Sequence, residues 1–279
     1  MLKRSEADGA AQASDPNPVP GESTNEGLPK RVLVAEDNVV SQQAAKRYLE
    51  AIGCNVMVVE NGNAAVDACA RQEFGLVLMD LQMPKMDGIQ ATQEIRRQER
   101  LGRHVPILAL TAKSASDELA RCTAAGMNGL LTKPLDIARL RQALDRFGLA
   151  RRPLEQPIQS GAEPGEAVNE PVDLMMLHAK FSGDRAFVRR LCQTFVTGTS
   201  HSLEELDSAV AAGERTRVRL LAHRVKGGSS SVYAHRLAAI AANIESAALT
   251  IPMPELVAAL DTLRKAFDEA TLHIGARLP

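Results

Sequence analysis

The chain contains no tryptophan, has few other aromatic residues and carries almost no net charge. Its 33 lysines and arginines nearly balance 34 aspartates and glutamates, which gives no electrostatic footprint for nucleic acid or for an anionic membrane surface. No apolar run approaches the roughly 20 residues that a membrane-spanning helix needs. The first 25 residues also lack the apolar stretch of a signal peptide. These absences predict a cytoplasmic protein with no nucleic-acid or membrane partner of its own.

Cysteine and histidine are too scattered to indicate a metal centre or a redox motif. The four cysteines show no paired spacing, and we interpret them as core or surface residues of a protein in a reducing compartment. Five of the six histidines show no metal-ligand spacing and are interpreted as surface or core residues: His104, His178, His201, His235 and His273.

Two polar stretches divide the chain into two domains. Residues 1–29 contain too little apolar surface to fold, and we expect a disordered tail or linker there. Residues 150–170 hold three prolines and two glycines with few large apolar residues, which is typical of a linker between domains. We therefore expect one domain at residues 30–149 and a second at residues 171–279, and a chain of 279 residues is long enough for both.

The first domain alternates short apolar runs with segments of helical spacing. The runs lack polar alternation, which indicates strands that are buried on both faces. Five strand–helix repeats predict a doubly wound, five-stranded parallel sheet with helices on both faces. The runs occupy Val32–Ala35, Val56–Val59, Leu76–Met79, Ile107–Leu110 and Leu130–Leu131.

The second domain shows only helical periodicity. Apolar residues recur at intervals of three and four along four stripes, at residues 187–196, 218–232, 237–244 and 256–267. This pattern predicts a helical bundle. The whole chain is therefore predicted to combine an α/β domain with an all-α domain.

Polar residues that suit phosphoryl chemistry follow the predicted strands of the first domain. The carboxyl ends of parallel strands meet at one edge of the sheet, where ligands collect. Three carboxylates crowded there would repel one another, so we expect a hard cation such as Mg²⁺ among them. A lysine and a threonine hydroxyl would complete a site for phosphoryl transfer to a carboxylate. Each residue alone could merely end a strand or cap a helix, but all five at the ends of the expected strands indicate a functional site. They are Glu36 and Asp37 after the first run, Asp80 after the third, Thr111 after the fourth and Lys133 after the fifth.

Residues from about 30 to 149 resemble a response-regulator receiver domain, which has a flavodoxin-like fold. The resemblance lies in the segments around Glu36-Asp37-Asn38, Met79-Asp80 with Met83-Pro84 and Asp87-Gly88, Leu110-Thr111-Ala112, and Leu131 to Pro134. It implies that Asp80 accepts the phosphoryl group. It implies further that Mg²⁺ is bound by Glu36, Asp37, Asp80 and the backbone carbonyl of Gln82, that Thr111 and Lys133 contact the phosphoryl group, and that the peptide bond before Pro134 is cis.

One residue departs from the receiver pattern. Three positions before the lysine, receivers usually carry an aromatic residue that moves inward on phosphorylation, and this chain has Leu130 there. An output through such an aromatic switch is therefore not expected. Leu130 instead favours a receiver that passes its phosphoryl group onward.

The second domain holds one histidine, His223, in an unusual setting. On a helix over residues 218–232, His223 lies off the apolar face, with Arg219 and Lys226 as helical neighbours and Gly227 beside it. We expect an exposed imidazole whose phosphorylated form is stabilised by cations, with space for a partner to approach. A surface histidine on an ordinary helix is the alternative. It does not explain Gly227-Gly228, since each glycine costs about 1 kcal/mol relative to alanine inside a helix.

The segment from Leu221 to Ser230 resembles the signature of a histidine-phosphotransfer (HPt) domain, and the similarity covers roughly residues 171–272. The resemblance implies that His223 receives and donates phosphoryl groups without a metal or ATP of its own. Where that family usually has a small residue, about ten positions after the histidine, this chain has Tyr233. We expect this difference to affect the end of the helix more than the chemistry.

The favoured hypothesis is an intermediate in a multistep phosphorelay. A sensor histidine kinase donates to Asp80, His223 carries the group on to or from a receiver aspartate, and a downstream response regulator receives it. The activity expected of this chain is phosphotransfer, with slow hydrolysis of the aspartyl phosphate.

Two alternatives concern enzymatic activity. The chain could be the C-terminal portion of a hybrid sensor histidine kinase, although it shows no nucleotide-binding segment and no glycine-rich ATP lid of its own. A phosphatase with Asp80 as nucleophile would need a second acid two residues later, where this chain has Gln82.

Overall fold

The computed structural model describes residues 31–100, 102–112, 116–149 and 170–278. The predicted tail at residues 1–29 and nearly all of the predicted linker at 150–170 lie outside these residues. Within the described parts of the chain, every helix is too short or too polar to cross a membrane.

The first domain is built on a parallel sheet of five strands, in the order β2-β1-β3-β4-β5. Every residue of β3 and β4 is buried, because helices cover both faces of the sheet. The predicted doubly wound α/β architecture is thereby confirmed. The strands are β1 (Arg31–Ala35), β2 (Asn55–Val59), β3 (Leu76–Asp80), β4 (Ile107–Thr111) and β5 (Gly129–Thr132).

Polar caps fix where the helices of this domain begin. The Asn38 side chain accepts a hydrogen bond from the Ser41 backbone N–H at the start of α1, and Asn61 does the same for α2. Asp87 and Gln90 form a capping box at the start of α3. The helices are α1 (Val39–Ala51), α2 (Gly62–Arg71), α3 (Gly88–Gln98), α4 (Ser116–Ala124) and α5 (Ile137–Arg146).

The described residues from 170 onward form helices only, as the periodicity predicts. The apolar stripe of the helix that carries His223 is buried as expected, and that helix packs against its two sequence neighbours. Tyr233 follows its end with a positive φ of 59°, so the helix stops there. The helices are α6 (Leu174–Lys180), α7 (Arg185–Ala211), α8 (Arg215–Ser231), α9 (His235–Ala247) and α10 (Met253–Arg277).

The two domains dock against each other through α1. The Tyr48 ring stacks on the Phe181 ring with centroids 5.0 Å apart and an interplanar angle of 9°. Phe181 in turn packs against Phe187, with ring centroids 4.8 Å apart. A single apolar cluster therefore continues from one face of the sheet, through α1, into the helical bundle. We call this packing of α1 against the bundle the docked arrangement.

Polar contacts surround the apolar part of this interface. They set the register of the two domains, since each joins side chains that are more than 40 residues apart in sequence. The contacts are Arg47 with Asp184 at 3.1 Å, Lys180 with Asp136 at 3.0 Å, Gln43 with Thr194 at 3.2 Å, and the Ser41 and Ser231 hydroxyls at 3.1 Å.

Candidate functional site

Three carboxylates converge at the carboxyl edge of the sheet. Glu36 and Asp37 directly follow β1, Asp80 is the last residue of β3, and one ligand oxygen from each lies within 4.8 Å of the others. Glu36 and Asp80 are only 2% and 1% exposed. The sequence-based expectation that these residues meet is confirmed by this geometry. We call this cluster, together with Lys133, the acidic pocket.

Lys133 bridges two of the three carboxylates. Its Nζ lies 2.7 Å from Asp80 Oδ2 and 2.5 Å from Glu36 Oε2. Burial alone would lower the pKa of Lys133, but the Asp80 and Glu36 carboxylates outweigh it and raise that pKa above its ordinary value. Lys133 is thus held as a cation. The peptide bond to the next residue, Pro134, is cis, as expected.

The pocket is short of positive charge despite Lys133. Burial raises the pKa of Glu36 to about 8; Lys133 opposes this effect, whereas Asp80 and Asp37 add to it. Burial also raises the pKa of Asp37, with Arg224 opposing. A pocket in which carboxylates resist ionisation gains most from a further cation.

The donor set fits Mg²⁺. The ligand atoms are carboxylate oxygens, which this hard ion prefers. Asp37 Oδ1 is buried and has no hydrogen-bond partner among the residues that the structure describes. An orphaned, buried carboxylate oxygen is costly unless a cation uses it. Glu36, Asp37 and Asp80 are therefore the residues that would hold the ion.

Two further predicted residues lie at the same edge. The Gln82 backbone N–H donates to Asp80 Oδ1 at 3.1 Å, which helps to orient that carboxylate. Thr111 is the last residue of β4, and its hydroxyl donates to a carboxylate oxygen of Glu118 in α4. A contact between Thr111 and a phosphoryl group remains a prediction, and it would require this hydrogen bond to rearrange.

His223 is not exposed as the sequence suggested. It lies on α8 with only 6% of its surface accessible, so the expectation of an open imidazole is wrong. The sequence pattern treats α8 as a surface helix, whereas it packs against α7 and α9 on one side and against α1 of the other domain on another. The face that periodicity marks as polar is therefore largely covered.

Glu245 holds the imidazole and the neighbouring lysine together. Its Oε1 lies 2.8 Å from His223 Nδ1 and its Oε2 lies 2.5 Å from Lys226 Nζ. Burial would raise the pKa of Glu245, but the contacts with His223 and Lys226 outweigh it and lower that pKa to about 2. An ionised carboxylate only accepts hydrogen bonds, so His223 Nδ1 is the donor in this contact and Nε2 is the ring nitrogen that is not used by Glu245.

Sequence reasoning missed Glu245 and misplaced Lys226. Lys226 was expected to stand beside the imidazole as a free cation, whereas it forms an ion pair with Glu245. Glu245 comes 22 residues after His223 on the next helix, α9. Only the packing of α8 on α9 brings the two residues together, so the pattern of residues along α8 does not predict the contact.

Gly227 and Gly228 face the α/β domain. A Cβ at Gly228 would lie 2.9 Å from Asn38 Nδ2, whereas a Cβ at Gly227 would lie 3.7 Å from Ser41 Oγ. The first distance is a clash and the second an ordinary contact. The space predicted beside His223 is therefore used by this chain's own α1, and Gly228 is the glycine that the docked arrangement needs.

Arg224 joins the two candidate sites. Its Nε donates to Asp37 Oδ2 at 3.0 Å, and its backbone carbonyl accepts from Asn38 Nδ2 at 2.9 Å. The residue that directly follows His223 thus reaches into the acidic pocket. The sequence offered no signal for this contact, since it joins positions 187 residues apart.

Comparisons with known proteins agree with both domains. Residues 32–145 match the family model of the response regulator receiver domain, and residues 190–271 match that of the Hpt domain. A sensor histidine kinase, AruS of Pseudomonas aeruginosa, is 32% identical over 221 residues. The virulence sensor protein BvgS of Bordetella bronchiseptica is 28% identical over 263 residues. These alignments cover 78% and 88% of this chain, but only 21% of each relative.

Among solved structures, similarity is found to the receiver domain of a sensor histidine kinase from Pseudomonas aeruginosa PAO1. That crystal structure is described with a magnesium ion coordinated in its active site cleft. The two sequences are 41% identical, and the match covers 43% of this chain and 98% of that one, with a TM-score of 0.40.

Proposed function

Because the chain carries a receiver domain followed by an Hpt domain, we propose that it relays phosphoryl groups through Asp80 and His223. We propose a receiver domain at residues 30–149, a linker at 150–170 and an Hpt domain at 171–279. Asp80 takes the group from a phosphohistidine of a sensor histidine kinase. His223 then carries it on to, or from, a receiver aspartate.

At Asp80, the P–N bond of the donor phosphohistidine breaks as a P–O bond to the carboxylate forms. Lys133, already 2.7 Å from Asp80 Oδ2, neutralises charge that develops on the phosphoryl oxygens. Thr111 would donate a hydrogen bond to the same oxygens. Glu36, Asp37, Asp80 and the Gln82 carbonyl would hold Mg²⁺, which supplies further positive charge when it is bound.

At His223, the lone pair on Nε2 attacks phosphorus. The P–O bond to Asp80 then breaks, its electron pair returns to the carboxylate, and a P–N bond forms. The ring gains positive charge in this step, and the Glu245 carboxylate, 2.8 Å from Nδ1, stabilises it. Reversal of the same steps lets His223 donate to another receiver.

One observation carries the proposal: the helix that bears the histidine lies against the pocket that bears the aspartate. Arg224 directly follows His223 in the sequence. It contacts Asp37, which is one of the three carboxylates that converge with Asp80. The two domains that would carry the phosphoryl group therefore meet at the edge of the sheet that holds Asp80.

The proposed partners are a sensor histidine kinase upstream and a response regulator downstream, and the proposed location of this chain is the cytoplasm. The alternative proposal is that the chain is the C-terminal portion of a hybrid sensor histidine kinase. Similarity to sensor kinases over 78% and 88% of this chain supports it, since in those proteins the match spans both domains.

Phosphotransfer from a radiolabelled donor kinase tests the relay. Acid-stable and base-stable label would be separated on wild type, Asp80→Asn and His223→Gln, with His201→Gln as a control at an exposed histidine of the same domain. We expect label on Asp80 that moves to His223 in wild type and in the control. Asp80→Asn should lose both forms of label, and His223→Gln only the histidine form. Full labelling of His223 in Asp80→Asn would refute Asp80 as the upstream site.

A further inference from the structure

The Arg224–Asp37 ion pair uses a carboxylate that the proposed relay assigns to Mg²⁺. In the docked arrangement, Arg224 Nε lies 3.0 Å from Asp37 Oδ2, and the Asp37 side chain is only 3% exposed. The other oxygen, Oδ1, is buried without a hydrogen-bond partner in the described part of the chain. The Asp37 carboxylate therefore contacts Arg224 of the helical domain with one oxygen, and its other oxygen has no hydrogen-bond partner among the described residues.

Arg224 changes the charge of that pocket. Glu36, Asp37 and Asp80 together carry three negative charges when they are ionised, and Lys133 supplies one positive charge. Arg224 adds a second positive charge, but only while α8 is docked on α1. A divalent cation that binds Asp37 must share that carboxylate with the guanidinium, and the two cations repel each other in a buried site of low effective dielectric.

We propose that Arg224 makes domain docking and Mg²⁺ binding antagonistic, so that Mg²⁺ loads the undocked receiver in preference to the docked one. This inference rests on the proposed Mg²⁺ site. Because coupling between two equilibria is reciprocal, Mg²⁺ weakens docking by the same factor by which docking weakens Mg²⁺ binding.

The consequence concerns access to the two phosphoryl-carrying residues. Asp80 and His223 are 1% and 6% exposed in the docked arrangement, so neither is open to a separate protein. Mg²⁺ binding shifts the population toward the undocked form, in which an external kinase or regulator meets the receiver and the Hpt domain as separate surfaces. Arg224 thereby separates a closed, metal-free state from an open state that exchanges with partners.

A disulfide lock tests the coupling in the full chain. The Ser41 and Ser231 hydroxyls are 3.1 Å apart across the interface, so the pair Ser41→Cys and Ser231→Cys is placed to form a disulfide only when the domains are docked. The Mg²⁺ dissociation constant would be measured by titration calorimetry on the oxidised and the reduced forms. Each form would also be measured with Arg224→Gln, and with Arg189→Gln as a control that removes the same charge from the exposed face of α7.

We expect the oxidised form to bind Mg²⁺ about tenfold more weakly than the reduced form, within the range typical of coupling between sites. Arg224→Gln should remove most of this difference, and Arg189→Gln should leave it unchanged. Starting from the reduced protein, Mg²⁺ should slow disulfide formation when Arg224 is present. It should have little effect on disulfide formation in the protein that also carries Arg224→Gln.

Three results would overturn the inference. Equal Mg²⁺ affinity in both forms would show that docking and metal binding are independent. Tighter binding in the oxidised form, lost in Arg224→Gln, would show that Arg224 orients Asp37 for the metal instead of competing with it. A cysteine pair that does not cross-link, together with small-angle X-ray scattering that shows separated domains, would show that the domains do not dock. By contrast, Mg²⁺ binding to neither form would refute the metal site of the proposed function itself, and the coupling with it.

Discussion

Replacing Gly228 with alanine should separate the two domains, whereas the same change at Gly227 should not. A methyl group at Gly228 would lie 2.9 Å from Asn38 Nδ2 in the docked arrangement. The Asn38 side chain cannot move away freely, because its Oδ1 caps α1 and its Nδ2 donates to the Arg224 carbonyl. At Gly227 the nearest atom, Ser41 Oγ, would be 3.7 Å away, which is an ordinary contact.

The size of the effect follows from the two hydrogen bonds of Asn38. Loss of an N-cap costs about 1 kcal/mol, and loss of a hydrogen bond to a buried carbonyl costs about 1 kcal/mol more. Both losses fall on the docked state alone. Docking should therefore weaken by about 2 kcal/mol, or roughly 30-fold. Alanine also stabilises the helix by about 1 kcal/mol at either position, but this gain is the same in docked and undocked protein and cancels.

Small-angle X-ray scattering on the full chain would measure the outcome. We expect Gly228→Ala to increase the radius of gyration relative to wild type, and Gly227→Ala to leave it unchanged. Thermal denaturation would confirm that both variants fold. Equal scattering from the two variants, with both folded, would refute the argument that Gly228 is needed for α1 to approach α8.

Three further outcomes follow from the sites. Glu245→Gln should slow transfer to His223 about tenfold, because a neutral amide stabilises the charged ring less, and should leave Asp80 labelling intact in the same radiolabel assay. The pKa of Glu245 is lowered from 4.5 to about 2, so its contribution to stability is fully present above pH 4.5 and is lost as the pH falls toward 2. Urea denaturation at pH 6 and pH 3 should show a loss of stability in wild type that exceeds the loss in Glu245→Gln by at most about 2 kcal/mol. Excess chelator should abolish labelling of Asp80 in the phosphotransfer assay and leave the circular dichroism spectrum unchanged; full labelling without Mg²⁺ would refute the metal site.

The acidic pocket could be predicted because its geometry follows from fold class. In a parallel sheet, whatever follows each strand arrives at the same edge. Once the apolar runs identify the strands, Glu36, Asp80 and Lys133 must converge, and the structure places Lys133 within 2.7 Å of both carboxylates. The hydrogen bond from Thr111 to Glu118 was not predictable in this way, because it depends on where α4 packs and not on strand order.

The setting of His223 could not be predicted because it depends on contacts between helices and between domains. Helical periodicity correctly identified the buried stripe of α8, since that stripe packs within its own bundle. It assigned the remaining face to solvent, which holds only for a domain that stands alone. Glu245 on α9 and the docked α1 cover that face instead.

Gly228 shows how far a sequence can lead toward such a contact. Two adjacent glycines inside a helix oppose helix formation, so the sequence already indicates that something approaches α8 closely. It does not say what approaches, and a separate protein was the expectation. The structure puts Asn38 there, next in sequence to Asp37, so the glycine that opposes helix formation is also the one that lets Arg224 reach the acidic pocket. Gly228, which destabilises the helix, and the ion pair between Arg224 and Asp37 are thus parts of one interface. Neither feature can be explained from the sequence of one domain alone, because each depends on contacts with the other domain.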